Sequence, residues 1–94
     1  MSNISVIIPT YNEEAFLKKA LYSVQFADQI IVVDSLSTDK TVEIARSYGC
    51  QVISREFDNF SNQKNHGLKY AVCDWVLFLD ADERITYPLK IEIL

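Results

Sequence analysis

Two carboxylates one residue apart, Asp80 and Asp82, follow the apolar run Trp75-Val76-Leu77-Phe78-Leu79. In an extended segment, residues two apart point to the same side. Both carboxylates therefore converge at the end of a buried strand. Negative charge beside a low-dielectric core is costly unless a cation or hydrogen bonds compensate it. Hard carboxylate oxygens, completed by water and phosphate oxygens, suit Mg2+ or Mn2+. An isolated Asp-x-Asp is more often a solvated strand end, so the all-apolar setting carries this reading. Asp34 has the same setting, after Ile30-Ile31-Val32-Val33. It can cap the following turn or accept hydrogen bonds from a base or ribose. Tyr11 is either packing or a face for a base. Lys64 and Arg55 are either surface charges or phosphate partners. His66, beside Gly67, reads as a structural histidine.

Four short apolar runs must position these residues, at 4–8, 29–33, 51–54 and 74–79. Most lack polar/apolar alternation, the pattern of strands covered on both faces. The intervening segments read as helices. Asn12 is expected to cap the first, with Glu13 and Glu14 in its first turn and Phe16, Leu17, Ala20, Leu21 and Val24 as its apolar stripe. Ser37 or Thr38 is expected to cap the second, which Gly49 stops. Ser61 is expected to open the third, which Gly67 weakens. Residues 86–94 are expected to start a fourth, with Pro88 tolerated in its first turn. The order β-α-β-α-β-α-β predicts an α/β three-layer sandwich with a mostly parallel sheet and right-handed crossovers.

In such a sheet, ligands bind outside the carboxyl ends of the strands. Polar residues collect at all four ends. They are Pro9 to Glu13; Asp34, Ser35, Ser37 and Asp39; Arg55, Glu56, Gln63, Lys64 and Asn65; and Asp80, Asp82, Glu83 and Arg84. One composite pocket is expected. With two glycines in the chain, neither a Gly-x-Gly-x-x-Gly turn nor a P-loop is present, so a phosphate needs another neutraliser.

The 94 residues allow one domain, residues 1–94, with 49% hydrophobic and 23% charged residues. Nine basic against thirteen acidic residues leave a net charge of −4, a poor balance for a nucleic-acid or anionic-membrane binder. Cys50, Cys73 and one histidine make no zinc site, and the cysteines read as reduced thiols. The N-terminus lacks signal-peptide character, and the apolar runs are too short for a transmembrane segment. A cytoplasmic protein is expected. The apolar residues Ile91, Ile93 and Leu94 at the end suggest an N-terminal piece of a longer protein, with an exposed edge open to self-association.

Ser5-Val6-Ile7-Ile8-Pro9-Thr10-Tyr11-Asn12-Glu13, then Val32-Val33-Asp34-Ser35, then Lys64-Asn65-His66-Gly67, then Leu79-Asp80-Ala81-Asp82 occur in that order. Together they resemble the family 2 glycosyltransferases, which have the GT-A fold. The resemblance covers nearly the whole chain. It implies a Rossmann-like nucleotide-sugar half with strand order 3-2-1-4. It implies that Pro9, Thr10, Tyr11 and Glu13 line the base, that Asp34 contacts it, and that Lys64 lies near the base or phosphates. Asp80 and Asp82 would contact the ribose and hold Mn2+ or Mg2+ on the diphosphate. The metal-assisted, inverting reaction needs a general base, which the family carries well after Asp-x-Asp. That base is expected beyond residue 94, as is the acceptor site, and Glu83 is not assigned the role. The chain alone is expected to be inactive in transfer.

Many members have a second Asp after the position of Asp34, then Gly; Ser35 and Leu36 stand here, which implies a differently set loop. Asp34-Ser35 with Ser37 to Thr41, residues 55–65, and Asp80 to Arg84 look like bacterial lipopolysaccharide inner-core beta-1,4-glucosyltransferases. That resemblance implies a UDP-glucose donor, a heptose on a lipid-linked core as acceptor, and work at the inner face of the cell membrane. Three other readings fit parts of the pattern. In a haloacid-dehalogenase-type phosphatase, Asp80 would be nucleophile and Asp82 acid/base with Mg2+, but that motif normally opens a domain. A receiver-type module would need acids after the first strand, where Pro9-Thr10 stands. A nucleotide-binding module without turnover differs from the leading reading only in turnover.

Overall fold

The computed structural model describes residues 3–81 and the backbone of 91–93. Its elements run β1 (Ile4–Thr10), α1 (Leu17–Ser23), β2 (Gln29–Asp34), α2 (Thr41–Ser47), β3 (Gln51–Ser54), α3 (Phe60–Leu68), β4 (Trp75–Phe78) and β5 (Ile91–Ile93). The strands form one sheet in the order β3-β2-β1-β4-β5. β1 pairs in parallel with β2 and with β4, and β2 with β3. The expected order 3-2-1-4 is therefore found.

The continuous apolar runs are explained by helices on both faces. Val6, Ile8, Val32, Leu77 and Leu79 face one way, onto Leu17, Ala20, Leu21 and Val24 around α1 and Ala45 of α2. Ile7, Ile31, Val33 and Val76 face the other way, with Leu68 and Ala71 packed against them. Each fully buried Ile, Leu or Val contributes about 1.5–3 kcal/mol from removal of apolar surface from water. Gly67 sets how closely α3 approaches this second face. A Cβ there would stand 2.6 Å from Ile7 Cγ2 and 3.0 Å from Val33 Cγ2. Its missing side chain weakens the helix locally but lets α3 seat directly on the sheet.

Several helix ends differ from expectation. Asn12 does not cap α1. It takes a left-handed backbone (φ 51°), and its Oδ1 accepts from the N–H groups of Thr38 at 2.8 Å and Asp39 at 3.3 Å. Its amide thus ties the β1–α1 loop to the β2–α2 loop, and α1 starts without a side-chain cap. Phe16, expected in the apolar stripe, is 55% exposed, because α1 begins only at Leu17. α2 likewise has no side-chain cap, although Gly49 (φ 78°) terminates it as expected. Asn59, not Ser61, opens α3, its side chain accepting from Asn62 N–H at 2.8 Å.

The expected helix over 86–94 lies partly outside the described residues. Where the chain is described again, Ile91–Ile93 is a strand, antiparallel to β4. Its alternating Ile-Glu-Ile suits a strand, and pairing with β4 satisfies backbone groups that a sheet edge would leave open. Cys50 and Cys73 are free thiols. Burial pushes the Cys50 thiol up to about 11.

Candidate functional site

The chain crosses from β1 to β2 over one face and from β3 to β4 over the other. The carboxyl ends of β1 and β4 therefore border a crevice where the winding reverses. The paired register of β1 and β4 ends at Ile7 and Phe78, with one more bond from Leu79 N–H to Ile7 O at 3.1 Å. Pro9 has no N–H to continue the ladder. Here a cleft of about 640 Å³ opens, lined by Pro9, Thr10, Tyr11, Glu13, Ser35, Phe57, Phe60, Gln63, Asp80 and Ala81.

Of the residues expected in the site, Pro9, Thr10, Tyr11, Glu13 and Asp80 line this cleft. Glu13 is held in place by its backbone, with its N–H on Thr41 Oγ1 at 2.8 Å and its carbonyl accepting from Leu17 N–H at 2.8 Å. Asp80 is exposed at the end of β4. Asp82, expected beside it on the metal, lies outside the described residues, as do Glu83 and Arg84.

Asp34 and Lys64 are not among the lining residues. Asp34 is 1% exposed. Its Oδ1 accepts from Thr10 Oγ1 at 2.7 Å and Ser37 Oγ at 2.6 Å, and its Oδ2 from Ser37 N–H at 2.8 Å. It caps the turn that follows β2. That turn needs holding, since Leu36 adopts a left-handed backbone (φ 60°), unfavourable for a side chain with a Cβ. Lys64 sits on α3 with its Nζ 5.5 Å from the centre of the Phe78 ring, a cation–π contact. His66 tilts against Tyr70, their ring centres 5.6 Å apart.

Five lining residues, Ser35, Phe57, Phe60, Gln63 and Ala81, were not assigned to the site from the sequence. Ser35 and Gln63 stand at strand ends noted as polar, but nothing local distinguishes them from solvated residues. Gln63 is 1% exposed, and its Nε2 donates to Val33 O at 3.0 Å and Ser35 Oγ at 2.7 Å. Its Oε1 accepts from Arg55 Nη1 at 3.0 Å. Arg55 in turn pairs with Asp58 at 3.2 Å. Hydrogen bonds from Asn62, Arg55 and Asn59 N–H hold the Asp58 carboxyl well below its ordinary value of 3.8. Phe57 and Phe60 meet edge to face, centroids 5.1 Å apart, with Phe60 67% exposed. Exposed aromatics at a cleft offer flat apolar surface for a ring. A signal for them was available, since a phenylalanine at the first position of a capped helix has little core to reach.

The loop opposite is also tightly bonded. Burial acts against ionisation of Asp39. Hydrogen bonds from the Thr41 hydroxyl and from the N–H groups of Thr41 and Glu14 outweigh it and lower the pKa from 3.8. The cleft thus joins an exposed carboxylate, an aromatic wall and a buried polar network on a rigid sheet. Such a site is suited to a ligand with one flat ring, and to an anionic end only with a cation between it and Asp80.

Known proteins are similar to this chain in sequence and in fold. An uncharacterized glycosyltransferase of Rickettsia typhi is 44% identical over 94 residues, covering 99% of this chain and 32% of the relative. A lipopolysaccharide core biosynthesis glycosyltransferase, LpsC of Rhizobium meliloti, is 32% identical over 92 residues, 93% of this chain and 34% of the relative. The chain thus spans about a third of the length of these curated relatives. Among solved structures, glucosyl-3-phosphoglycerate synthase of Mycobacterium tuberculosis, in complex with Mn2+, UDP and glucosyl-3-phosphoglycerate, superposes with a TM-score of 0.77. It is 29% identical, with 88% of this chain and 36% of that one covered. A mannosyltransferase of Pyrobaculum calidifontis in complex with GDP-Man and Mn2+ has the same TM-score at 27% identity, with 86% and 28% covered. The model of glycosyl transferase family 2 matches residues 5–94, and the chain belongs to that family.

Proposed function

We propose that this chain forms the donor-binding part of a glycosyltransferase that moves a sugar, with inversion and with a divalent metal, from a UDP-sugar to a glycan acceptor. UDP-glucose is the proposed donor and a lipopolysaccharide core the proposed acceptor. One observation carries the reading: the cleft at the winding reversal has Asp80 and an aromatic wall of Tyr11, Phe57 and Phe60 in one lining. The aromatic wall suits the base, and the carboxylate suits a metal-bridged diphosphate. The UDP and Mn2+ in the mycobacterial relative support this choice, and the GDP-Man of the archaeal one makes guanine the competing base. The motif resemblance to inner-core glucosyltransferases and the match to LpsC support the acceptor. Family membership displaces the phosphatase and receiver readings.

The donor set fits Mn2+ or Mg2+. Among the described residues no three His, Cys, Asp or Glu side chains gather to hold a metal. Asp80 and Asp82 would therefore share it with water and the ligand's own phosphate oxygens, as these ions favour. When bound, the metal stabilises the negative charge that develops on the departing nucleoside diphosphate. The protein's own part is to hold the ring between aromatic faces and to fix the ribose and diphosphate by Asp80. No described helix is long and apolar enough to cross a membrane. A lipid-linked acceptor would then meet the whole protein at the inner membrane face.

Calorimetric titration of UDP, with and without Mn2+, tests this on the unaltered chain, Asp80→Ala and Asp82→Ala. Metal-dependent binding that both substitutions remove is the expected result. Failure of UDP and GDP to bind in the presence of Mn2+ would sink the reading.

A further inference from the structure

We propose that the outer face of α1 is a docking surface for an anionic lipid bilayer, with Lys18 and Lys19 meeting the headgroups and Tyr22 and Phe26 entering the interface. Its purpose rests on the reading of a lipid-linked acceptor, while its evidence lies outside the cleft.

Helical spacing defines the face. Leu17, Ala20, Leu21 and Val24 are fully buried against the sheet. The opposite side carries Tyr22, four residues after Lys18 and three after Lys19, so both lysines flank it. Phe26 follows four residues later, in the turn after the helix. Tyr22 is 77% exposed and Phe26 57%. Both lysines are exposed, and among the described residues neither is in an ion pair. None of the four lines the cleft.

The net charge of −4 opposes membrane binding by the chain as a whole, but its charges are segregated. α1 and α2 cover the same face of the sheet, and Lys18, Lys19, Lys40 and Arg46 are exposed on this layer. Of the acids around it, Glu13 lines the cleft, Asp39 is bonded to Thr41, and Asp28 accepts from Ile4 N–H at 2.9 Å. Glu14 and Glu43 remain against the four cations. The layer is cationic on an acidic chain, the complement of an anionic surface. The residue types favour lipid over protein. Lysine is depleted in the cores of protein interfaces. At a bilayer its stem lies along apolar groups while the ammonium stays among the headgroups. Aromatic rings beside lysines suit a helix lying in the interface plane. α1 starts beside the cleft, after Glu13, and α3 stands on the other face of the sheet. A bilayer on the outer side of α1 therefore leaves the cleft open.

The test is co-sedimentation with vesicles of phosphatidylcholine and phosphatidylglycerol in equal parts, and with vesicles of phosphatidylcholine alone. Neither nucleotide nor acceptor is present, so failure here leaves the nucleotide reading standing. The unaltered chain is expected to bind the mixed vesicles, more weakly as salt is added, and to bind phosphatidylcholine at least about tenfold less well. Lys18→Gln and Lys19→Gln are each expected to weaken mixed-vesicle binding about fivefold. Tyr22→Ser with Phe26→Ser is expected to weaken it about tenfold. Lys69→Gln removes the same charge from the end of α3, on the other face of the sheet, and is expected to change nothing. All four positions on the α1 face are exposed, so thermal melts are expected to coincide with that of the unaltered chain. No binding to the mixed vesicles, equal binding to phosphatidylcholine, or an equal loss in Lys69→Gln would each overturn the proposal. Self-association that the Tyr22 and Phe26 substitutions abolish, without vesicle binding, would give the face to a second copy and overturn it as well.

Discussion

The ends of β2 and β4 begin from the same sequence arrangement and finish differently. Each strand is an apolar run closed by an aspartate. Asp34 is buried under the loop that follows it and accepts three hydrogen bonds from Thr10 and Ser37. Asp80 is exposed and lines the cleft. β2 lies between β1 and β3, and its following loop folds back beside the β1 loop through Asn12. β4 ends at the winding reversal, where Asp80 borders the cleft. A carboxylate after an apolar strand is therefore a structural anchor or a ligand-facing group according to its place in the sheet order.

Exchanging the roles experimentally gives the largest effect. Asp34→Ala leaves the Thr10 hydroxyl and the Ser37 N–H without their acceptor, and is expected to cost about 3 kcal/mol. Asp80→Ala is expected to stay within about 0.5 kcal/mol, as for an exposed substitution. Urea midpoints measure both. Equal destabilisation by the two would erase the distinction between the strand ends.

A smaller effect of opposite sign sharpens the β2 side. Leu36 holds a left-handed backbone because Asp34 pins the turn through Ser37. Leu36→Gly removes the Cβ penalty at some cost in chain entropy, and is expected to stabilise the protein by about 0.5–1 kcal/mol. A lower urea midpoint for this variant would mean that the exposed Leu36 side chain contributes packing that outweighs the strain.

Asp58 is an intermediate case, half-exposed beside Arg55 yet well bonded. Its pKa is lowered from 3.8 by Asn62, Arg55 and Asn59, so the folded state favours the ionised form. Its stabilisation is present above pH 3.8 and is lost as pH falls below that value. Urea midpoints between pH 5 and pH 3 are expected to fall less in Asp58→Asn than in the unaltered chain. Because the group is exposed, the difference is the smallest of the three and shrinks with added salt. Identical pH dependence in the two proteins would remove Asp58 from the acid response.

The sequence by itself determined four of the described strands and the side of the sheet where polar residues gather, and the order 3-2-1-4 was implied by the resemblance to the family 2 glycosyltransferases. Apolar runs without alternation require cover on both faces, and right-handed crossovers leave few topologies. Five of the expected site residues, from Pro9 to Asp80, reach the cleft because strand ends converge in any sheet of this order. Tertiary structure decided what a one-dimensional reading cannot weigh. Asn12 had a good cap sequence but found better partners in Thr38 and Asp39, which lie more than twenty residues away. Ile91–Ile93 became a strand because β4 offered an open edge, a condition set far from those residues. Gly67 is needed for its closeness to Ile7 and Val33, although locally it only weakens a helix. Gln63 finds its partners Arg55, Val33 and Ser35 only when α3 seats on the sheet. Periodicity records burial, which is local to each strand, whereas the partners of a polar side chain depend on which distant donors and acceptors the fold brings to it.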